Sequence, residues 1–547
     1  MNTLALTLAA LLVSAPAAAD TLIDHVNGLQ VGADGQIQRF TGLVIGDNGK
    51  VIQLVDKDHP LIRPADTVID GKGQTLLPGM IDAHGHVTEL GFAALQLDLV
   101  GTSSLQDLQQ RLKAYAAAHP DGWIVGRGWN QELWPVKRFP TAADLDAIVP
   151  DRPVVLERVD GHAVVANSAA MKAAGISAQT PAPAGGRIEN GLFVDNAIDL
   201  IGKAVPAPSP AQFDQAITQA QDILLGFGVT AVGSMSTSEE AWNAMRRAGE
   251  AGRLQVRLMV YESDRPFAST PHPTEWLYDG KLRAVGVKLF ADGALGSRGA
   301  WLKQPYADKP DTHGLRFHSD AELLKLADNA AAAGFQIATH AIGDAANAQV
   351  ISTYEQLSKK YGADRRWRIE HFQIVDPADI PRLKPAGIVA SMQPTHQTSD
   401  RLMAEARLGP NRLAGAYAWQ TVEKLGIPLA FGSDFPVESP NPFPGLAAAI
   451  SRQDKDGNPP GGWIPSEKLT LEQALAAFTR GAAYAGFSEN QIGSLDPGHW
   501  ADFILVDRDP TQVDAQSLRQ TEVRETWVAG QKVWESETNR GPGKRGR

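Results

Sequence analysis

A short apolar run that ends in two histidines decides how the fold is interpreted: Pro78-Gly79-Met80-Ile81-Asp82-Ala83-His84-Gly85-His86. In a β-strand, residues two positions apart point to the same face, so His84 and His86 project together if the strand continues through them. Two imidazoles on one face suit Zn²⁺ or a similar metal ion. For an isolated pair of this kind, a structural pair that caps a strand explains the pattern as well.

Eight short apolar segments, of which this run belongs to the first, follow one another along the chain. Most are continuous apolar runs, typical of parallel strands that are covered on both faces, and residues 320–333 and 344–360 can supply crossover helices. This alternation predicts an α/β protein with a (β/α)8 TIM barrel. A doubly wound open sheet is the alternative, which the lack of a Gly-x-Gly-x-x-Gly turn after the first segment disfavours. The predicted strands are residues 75–83, 229–234, 255–261, 284–290, 336–339, 367–370, 388–392 and 428–432.

The segments outside the predicted barrel are expected to form two further structural units. Both chain ends are rich in short β-branched runs, which predicts one small β-sandwich built from residues 20–77 and 485–540, with the barrel domain over 78–484. The gap after the first strand is too long for a single crossover, so we expect an inserted subdomain at about 90–210. Insertions after barrel strands lie at the face that carries active sites, which favours a lid over the substrate. A peripheral stability module is the alternative.

Composition excludes several classes of protein. The 547 residues carry a formal net charge of -11, so no basic excess is available to neutralise phosphates, and a nucleic-acid binder is disfavoured. The chain has no cysteine, which excludes disulfides, a thiolate zinc site and a cysteine nucleophile. We expect a small molecule as the partner, and association into a homo-oligomer stays open.

Residues 1–19 are interpreted as a secretory signal peptide. An apolar run over 4–13 precedes Ala17-Ala18-Ala19, a small-residue cleavage site before Asp20. The run is too short for a stable membrane anchor. We therefore expect an exported protein without membrane attachment after cleavage, periplasmic if the source is a Gram-negative bacterium. An uncleaved apolar tail is the alternative.

Further residues of metal-ligand type lie at the ends of other predicted strands. His340, His371 and Asp434 each follow a different apolar segment. In a barrel the carboxyl ends of the strands converge, so these distant side chains are expected to meet those of His84 and His86. A satisfied core histidine explains His340 or His371 singly, but it explains poorly why all five positions fall at strand ends.

Lys288 lies inside the fourth predicted strand, where a charged amine among apolar residues is costly. From its spacing alone, a buried ion pair with a carboxylate such as Asp292 is favoured. The functional alternative is a carbamate, formed by reaction of the amine with carbon dioxide, which can bridge two cations.

Taken together, these motifs resemble the amidohydrolase superfamily, in particular its YtcJ-like (amidohydrolase-3) branch. The similarity covers nearly the whole mature chain, including Asp160-Gly161-His162 of the insertion and residues 493–502 near the end. Each motif alone is weak, whereas the set is highly specific. The matching motifs are Asp82-Ala83-His84-Gly85-His86, Val287-Lys288-Leu289-Phe290-Ala291-Asp292-Gly293, Thr339-His340-Ala341-Ile342-Gly343-Asp344, Arg368-Ile369-Glu370-His371 and Gly432-Ser433-Asp434-Phe435-Pro436.

The resemblance implies a metal-dependent amidohydrolase with two divalent ions per chain, expected to be Zn²⁺. Its ligand set carries over as His84, His86 and Asp434 on one ion and His340 and His371 on the other, with carboxylated Lys288 as the bridge. We expect cleavage of a non-peptide C–N bond, in an amide, formamide, carbamate or cyclic amide, by a metal-activated hydroxide. Asp434 would be the catalytic residue that carries the proton to the leaving nitrogen.

Two other functions stay open. An esterase or lactonase could use the same metal site, because such a centre attacks several electrophiles. A metal-free exported binding protein on this scaffold is of a different class, and the presence of all six ligand positions disfavours it.

Candidate substrate contacts are the residues of the insertion and of the loops after strands: His162, Arg298, His313, His396 and Trp129. Taken singly, each is more often a loop or core residue. Trp134, Trp463 and Phe435 are weaker candidates for an apolar pocket.

Overall fold

The computed structural model describes residues 20–159, 161, 163–183, 186–195 and 197–537. Eight parallel strands form one nearly closed sheet, in which each strand neighbours the next one along the chain. All eight predicted strands are present, and the TIM-like α/β fold is confirmed. The barrel strands, numbered first to eighth below, are Met80–Gly85, Val229–Thr237, Arg257–Ser263, Leu282–Phe290, Gln336–Ala341, Arg368–His371, Val389–Met392 and Leu429–Phe431.

The first predicted strand, residues 75–83, is two strands in the structure. Thr75–Pro78 pairs with Phe503–Val506 outside the barrel, and Met80–Gly85 begins the barrel itself. Gly79 separates them, and a Cβ at this position would lie 2.2 Å from Oγ1 of Thr230. The apolar run is continuous across both strands, so hydrophobicity alone cannot show where the chain passes from one sheet to the other.

A polar seam joins the first barrel strand to the segment after the eighth. The Asp434 N–H donates to the His84 carbonyl at 2.8 Å, and the Ser433 hydroxyl donates to the buried Asp82 carboxylate at 2.7 Å. Position 432 must be glycine, because a Cβ there would lie 2.5 Å from Oδ1 of Asp82 and 2.6 Å from the His84 nitrogen. The seam thus brings His84 and Asp434 together by backbone contact.

Helices cover the outer face of the barrel. Asp320–Ala332 begins with a capping box between Ser319 and Glu322, close to the predicted bounds, and Asp344–Tyr361 likewise lies where a crossover helix is expected. In the described ranges, no helix is both long and apolar enough to cross a membrane. The other helices from the second strand onward, with the one that leads into it, are Pro210–Gly226, Glu239–Glu250, Leu383–Ala386, Pro394–Leu408, Trp419–Lys424, Pro442–Ser451, Leu471–Ala477, Arg480–Ala485 and Ala515–Arg519.

Two further sheets bring the chain ends together. Both contribute to one buried apolar cluster that includes Phe40, Leu43, Phe503 and Trp527. The predicted bounds of this unit, 20–77 with 485–540, stay a prediction. In order across each sheet, the strands are Val51–Val55, Gly42–Ile45, Thr21–Asp24 and Thr67–Asp70, and Gln531–Glu535, Val523–Val528, Phe503–Val506, Thr75–Pro78, Asn27–Val31 and Ile37–Phe40.

The segment between the first and second barrel strands forms a six-stranded sheet of its own, with separate apolar clusters. The role of this segment as a lid stays a prediction. The predicted signal peptide, residues 1–19, lies outside the described residues. The strands in order are Gly186–Glu189, Leu192–Asp195, Ala163–Ala166, Val154–Arg158, Ile124–Trp129 and Leu97–Asp98, and the helices are Val87–Leu95, Leu105–Ala118, Ala142–Asp146, Ser168–Ala173 and Ile198–Gly202.

The seam predicts a specific sensitivity at its glycine. Gly432→Ala forces a Cβ against the first strand, so we expect a loss of about 1–3 kcal/mol in stability and a lower midpoint of thermal unfolding by circular dichroism. Gly202→Ala is the matched control, because a Cβ at this helix end meets nothing within 4 Å. A Gly432→Ala protein that unfolds at the wild-type temperature would show that the seam is not closely packed.

Candidate metal centre

The first group of predicted ligands lies around the carboxylate of Asp434. Oδ1 of Asp434 is 3.1 Å from Nε2 of His86 and 3.3 Å from Nε2 of His84. The amine of Lys288 lies 3.3 Å from Nε2 of His84. One ligand atom from each of His84, His86 and Asp434 lies within 4.8 Å of the others, so this group could hold a metal ion.

A second group faces the other oxygen of the same carboxylate. His371, His396 and Asp434 also offer ligand atoms within 4.8 Å of one another, with Nε2 of His396 at 3.7 Å from Oδ2 of Asp434. The His340 and His371 rings meet edge to face, with their centroids 4.5 Å apart. The structure therefore brings all six predicted ligand positions together and adds His396 to them.

The remote ring nitrogens of two histidines are held by acceptor side chains. Nδ1 of His84 is 2.6 Å from Oε2 of Glu370, and Nδ1 of His371 is 2.9 Å from Oε1 of Gln393. A ring that donates its Nδ1 proton in this way keeps the lone pair on Nε2, the atom that faces the cluster. Such partners are typical around metal-binding histidines, because they fix the tautomer and the ring orientation.

Glu370 is itself held by a buried arginine. Nε and Nη2 of Arg368 donate to its two carboxylate oxygens at 2.7 and 3.0 Å, and Arg368 also donates to the Tyr261 and Ser391 hydroxyls. Burial alone would raise the pKa of Glu370, but the charge of Arg368 and the contact with His84 outweigh it and hold the pKa below its usual range. The carboxylate is therefore ionised when it orients His84.

Burial favours the neutral form of three histidines of the cluster, His84, His340 and His371. Burial, together with the nearby charge of Lys288, lowers the pKa of His84. Burial lowers the pKa of His340 to about 3 and that of His371 well below its usual value. Neutral imidazoles are the form that binds a metal ion.

Asp434 is ionised although it is buried. Burial would raise its pKa, but the close contacts with the imidazoles of His84 and His86 lower it well below the usual value. Its backbone has a φ of 60°, and His371 has a φ of 73°. Non-glycine residues in this region are strained, and such residues cluster at functional sites.

Lys288 does not form the ion pair with Asp292 that its spacing favours. Burial lowers the pKa of the Lys288 amine to about 8, and the carboxylates whose charges act on it are Glu370 and Asp434. Asp292 instead lies with Oδ1 3.5 Å from Nε2 of His340. It accepts hydrogen bonds from the backbone N–H groups of Trp301, Ile342 and Gly343. The predicted alternative of a Lys288–Asp292 pair is therefore wrong.

A cavity of about 580 Å³ opens beside the cluster. Its walls come from the loop after the fourth strand and from the segments after the seventh and eighth strands. Within the described chain, none of the residues that line it belongs to the insertion. They are His86, Lys288, Phe290, Ala294, Leu295, Gly296, Ser297, His340, Ile342, His371, Gln373, His396, Asp400, Met403, Asp434, Val437 and Glu438.

Of the predicted substrate contacts, His396 lies on the cavity wall, whereas Arg298 and His313 do not. Arg298 donates to Asp308 at 2.9 Å. Nδ1 of His313 lies 3.2 Å from the Leu302 carbonyl. Both side chains therefore serve the loop after the fourth strand rather than the cavity.

The predicted aromatic contacts lie in cores. Trp129 is fully buried in the insertion, where its indole N–H donates to the Leu156 carbonyl, and Trp134 packs in the same cluster. Trp463 and Phe435 belong to the core around the barrel. These aromatic residues are absent from the described cavity wall. His162 lies outside the described residues.

The sequence interpretation missed several polar residues of the cavity. Gln373, Asp400 and Glu438 line it, and Gln393 holds His371. A signal was available for Asp400, which lies one helical turn after His396 and therefore on the same face.

A parallel barrel that gathers neutral imidazoles and an ionised carboxylate at its mouth is the arrangement of a metal-dependent hydrolase. The family model named Amidohydro_3 (amidohydrolase family) matches residues 67–534. The chain therefore belongs to the amidohydrolase family, whose members are generally metal-dependent.

Individual relatives agree with this placement. The chain is 35% identical over 487 residues to YtcJ of Bacillus subtilis (strain 168), covering 86% of this chain and 91% of the relative. It is 27% identical over 539 residues to the N-substituted formamide deformylase of Arthrobacter pascens, covering 93% and 97%. Among solved structures, a metal-dependent hydrolase of Pyrococcus horikoshii OT3 matches with a TM-score of 0.76 and 28% identity, over 91% of this chain and 99% of that one.

The buried arginine predicts the effect of removing its partner. Glu370→Gln leaves Arg368 without a counter-charge, so we expect a loss of about 3–5 kcal/mol, seen as a much lower midpoint of thermal unfolding. Glu355→Gln is the matched control, because Glu355 pairs with Arg382 at the partly exposed surface and its loss costs about 0–1 kcal/mol. Equal decreases in the unfolding midpoint of the two variants would show that the buried ion pair contributes no more to stability than the surface pair.

Proposed function

We propose that the protein is an amidohydrolase that cleaves a non-peptide C–N bond, in an amide, formamide, carbamate or cyclic amide. The observation that carries the proposal is the set of neutral, oriented imidazoles around the ionised carboxylate of Asp434, beside a cavity. The relative named as a formamide deformylase supports a C–N bond as the target.

The donor set fits two divalent cations, which we propose to be Zn²⁺. Nε2 of His340 is buried and has no hydrogen-bond partner among the described residues, and a metal ion would satisfy this orphaned nitrogen. His84, His86 and Asp434 would hold one ion. His340 and His371 would hold the other, with a carbamate on Lys288 between them. When bound, the ions supply Lewis acidity, which lowers the pKa of bound water to about 7.

Asp434 would move the proton of the reaction. Its Oδ1 lies close to His84 and His86, whereas Oδ2 lies 3.7 Å from Nε2 of His396, and Asp434 lines the cavity. Oδ2 would accept the proton of the attacking water and deliver it to the nitrogen that leaves. Because the contacts with His84 and His86 at Oδ1 keep the carboxylate ionised, it can accept a proton at neutral pH.

The proposed function is tested with a panel of N-formyl, N-acyl and carbamate compounds and their ester analogues. We expect amine release by metal-loaded enzyme and none after chelation. Asp434→Asn should lower kcat by about 10²–10⁴-fold, the usual weight of a general base, at an unchanged unfolding temperature. Asp311→Asn, which removes an exposed carboxylate paired with Lys309, should leave kcat unchanged.

Two outcomes would contradict this function. Cleavage of the esters alone would indicate an esterase or lactonase. A metal content well below one ion per chain after growth with metal, without any hydrolysis, would indicate a binding protein.

The carbamate makes a separate prediction. Lys288→Ala should lose activity and the bridged metal, and short carboxylic acids should partly restore turnover, because a carboxylate can take the place of the carbamate. Lys309→Ala, at an exposed ion pair with Asp311, is the control and should keep wild-type activity. Full activity of Lys288→Ala without added acid would refute the bridge.

A further inference from the structure

One face of the helix Pro394–Leu408 forms a wall of the cavity. His396, Asp400 and Met403 all line it, at intervals of four and three residues that place them on one side of the helix. Nε2 of His396 is buried, has no hydrogen-bond partner in the described chain and lies 3.7 Å from Oδ2 of Asp434. The wall thus starts at the candidate centre, and Asp400 lies one helical turn further along it.

The carboxylate of Asp400 is fixed by one of its oxygens. The Tyr417 hydroxyl and the Gln373 amide both donate to Oδ2, each at 2.9 Å. Gln373 also donates to the Tyr417 hydroxyl at 2.6 Å, and Tyr417 is buried. Across the described residues no protein group donates to Oδ1 of Asp400. The carboxylate is therefore held in place with one oxygen left for a ligand, the arrangement that favours a strong charge-assisted hydrogen bond.

The charges of the cavity wall are unbalanced. Beside Asp400 and Asp434 of the candidate centre, Glu438 is a third carboxylate on the wall, and it has no ion pair in the described part of the chain. Among the described lining residues the one amine is Lys288, which belongs to the candidate centre, and none is an arginine. A carboxylate in a partly buried site is costly without a counter-charge. A positively charged group on the ligand would remove this cost, whereas an anionic group would increase it.

The neighbouring guanidinium groups do not supply this counter-charge. Arg298 and Arg407 both pair with Asp308, and Arg401 approaches Asp454 at 3.7 Å. All three arginines lie outside the set of lining residues. The acidic character of the wall is therefore a property of the cavity itself.

We propose that Asp400 is a specificity residue, which binds a protonated amino group of the substrate while the scissile amide lies at the candidate centre. Glu438 adds to the negative field, and the apolar side chains of Leu295, Met403 and Val437 contact a short hydrocarbon spacer between the two groups. The substrate class is thus an amide-type derivative of a diamine. This inference rests on the proposed function of the same cavity.

The experiment compares three probes of similar length on metal-loaded enzyme. N-formylputrescine carries a terminal ammonium, N-formylpentylamine is neutral, and N-formylaminovalerate is anionic, while all three release formate. We expect kcat/KM to be at least about tenfold higher for the cationic probe than for the neutral one, the discrimination of a charge-assisted hydrogen bond. The anionic probe should be the poorest.

The variants assign the preference to Asp400. Asp400→Asn should reduce the cationic-to-neutral ratio to near one, through a higher KM of the cationic probe, so that kcat/KM falls more for the cationic probe than for the neutral one. Glu438→Gln should reduce the ratio by a smaller factor. Asp311→Asn removes an equal charge from the exposed surface and should leave the ratio unchanged.

The outcomes separate the two proposals. If no probe is cleaved and the wider panel is also inert, the proposed function fails. Calorimetry with pentylamine and pentanol then decides the recognition proposal, since wild type should bind the amine more tightly and Asp400→Asn should not. A wild-type preference near one, in hydrolysis or in binding, would overturn the role of Asp400 even if Asp400→Asn did not fold. Equal losses for all three probes in Asp400→Asn would also overturn it, because they would indicate a purely structural role.

Discussion

A single buried guanidinium holds the barrel interior and the candidate centre in register. Arg368 lies on the sixth strand and donates to the Ala83 carbonyl of the first strand, the Tyr261 hydroxyl of the third and the Ser391 hydroxyl of the seventh. Such a charge is tolerated in the interior only if it is paired and its donors are satisfied. Glu370 supplies the counter-charge, and the same carboxylate orients His84. Stability and ligand orientation therefore depend on one ion pair.

The polar seam between the first strand and the segment after the eighth also fixes the position of the candidate ligands. A barrel closed only by apolar contact could slide along this junction, whereas the Asp82 carboxylate, with Ser433 as its donor, fixes one register. The register matters because His84 and Asp434 lie directly on either side of the junction. Glycine at 432 allows the close approach, and the left-handed backbone of Asp434 turns the carboxylate toward the imidazoles. The contacts that close the barrel are therefore the same contacts that bring the candidate ligands together.

The sequence was sufficient for the features that depend on periodicity and on strand polarity. Continuous apolar runs located the eight strands, and the convergence of parallel strand ends placed His340, His371 and Asp434 near the first two histidines. Features that depend on tertiary contacts could not be predicted from the sequence. Proximity in sequence favours Asp292 as the partner of Lys288, yet the partners of Asp292 are backbone N–H groups, two of them some fifty residues further along the chain. The sequence also offers Trp129 as a candidate substrate contact, yet the insertion has a core of its own and buries this side chain in it.

The candidate ligands and the cavity walls belong to different parts of the fold. The six predicted ligands belong to barrel strands and their immediate ends, whereas the wall that carries Asp400 and His396 is a helix outside the sheet. A substitution on that helix can change the charge of the cavity without disturbing the strands. The loop that forms the opposite wall is also fixed, since Trp301 donates to Asp292 and the Tyr306 hydroxyl donates to the Ala300 carbonyl. Among the described residues both walls are formed without the insertion. Discrimination between substrates can therefore arise from the fixed charges of the wall, with Asp400 as the residue that we propose to bind a cation.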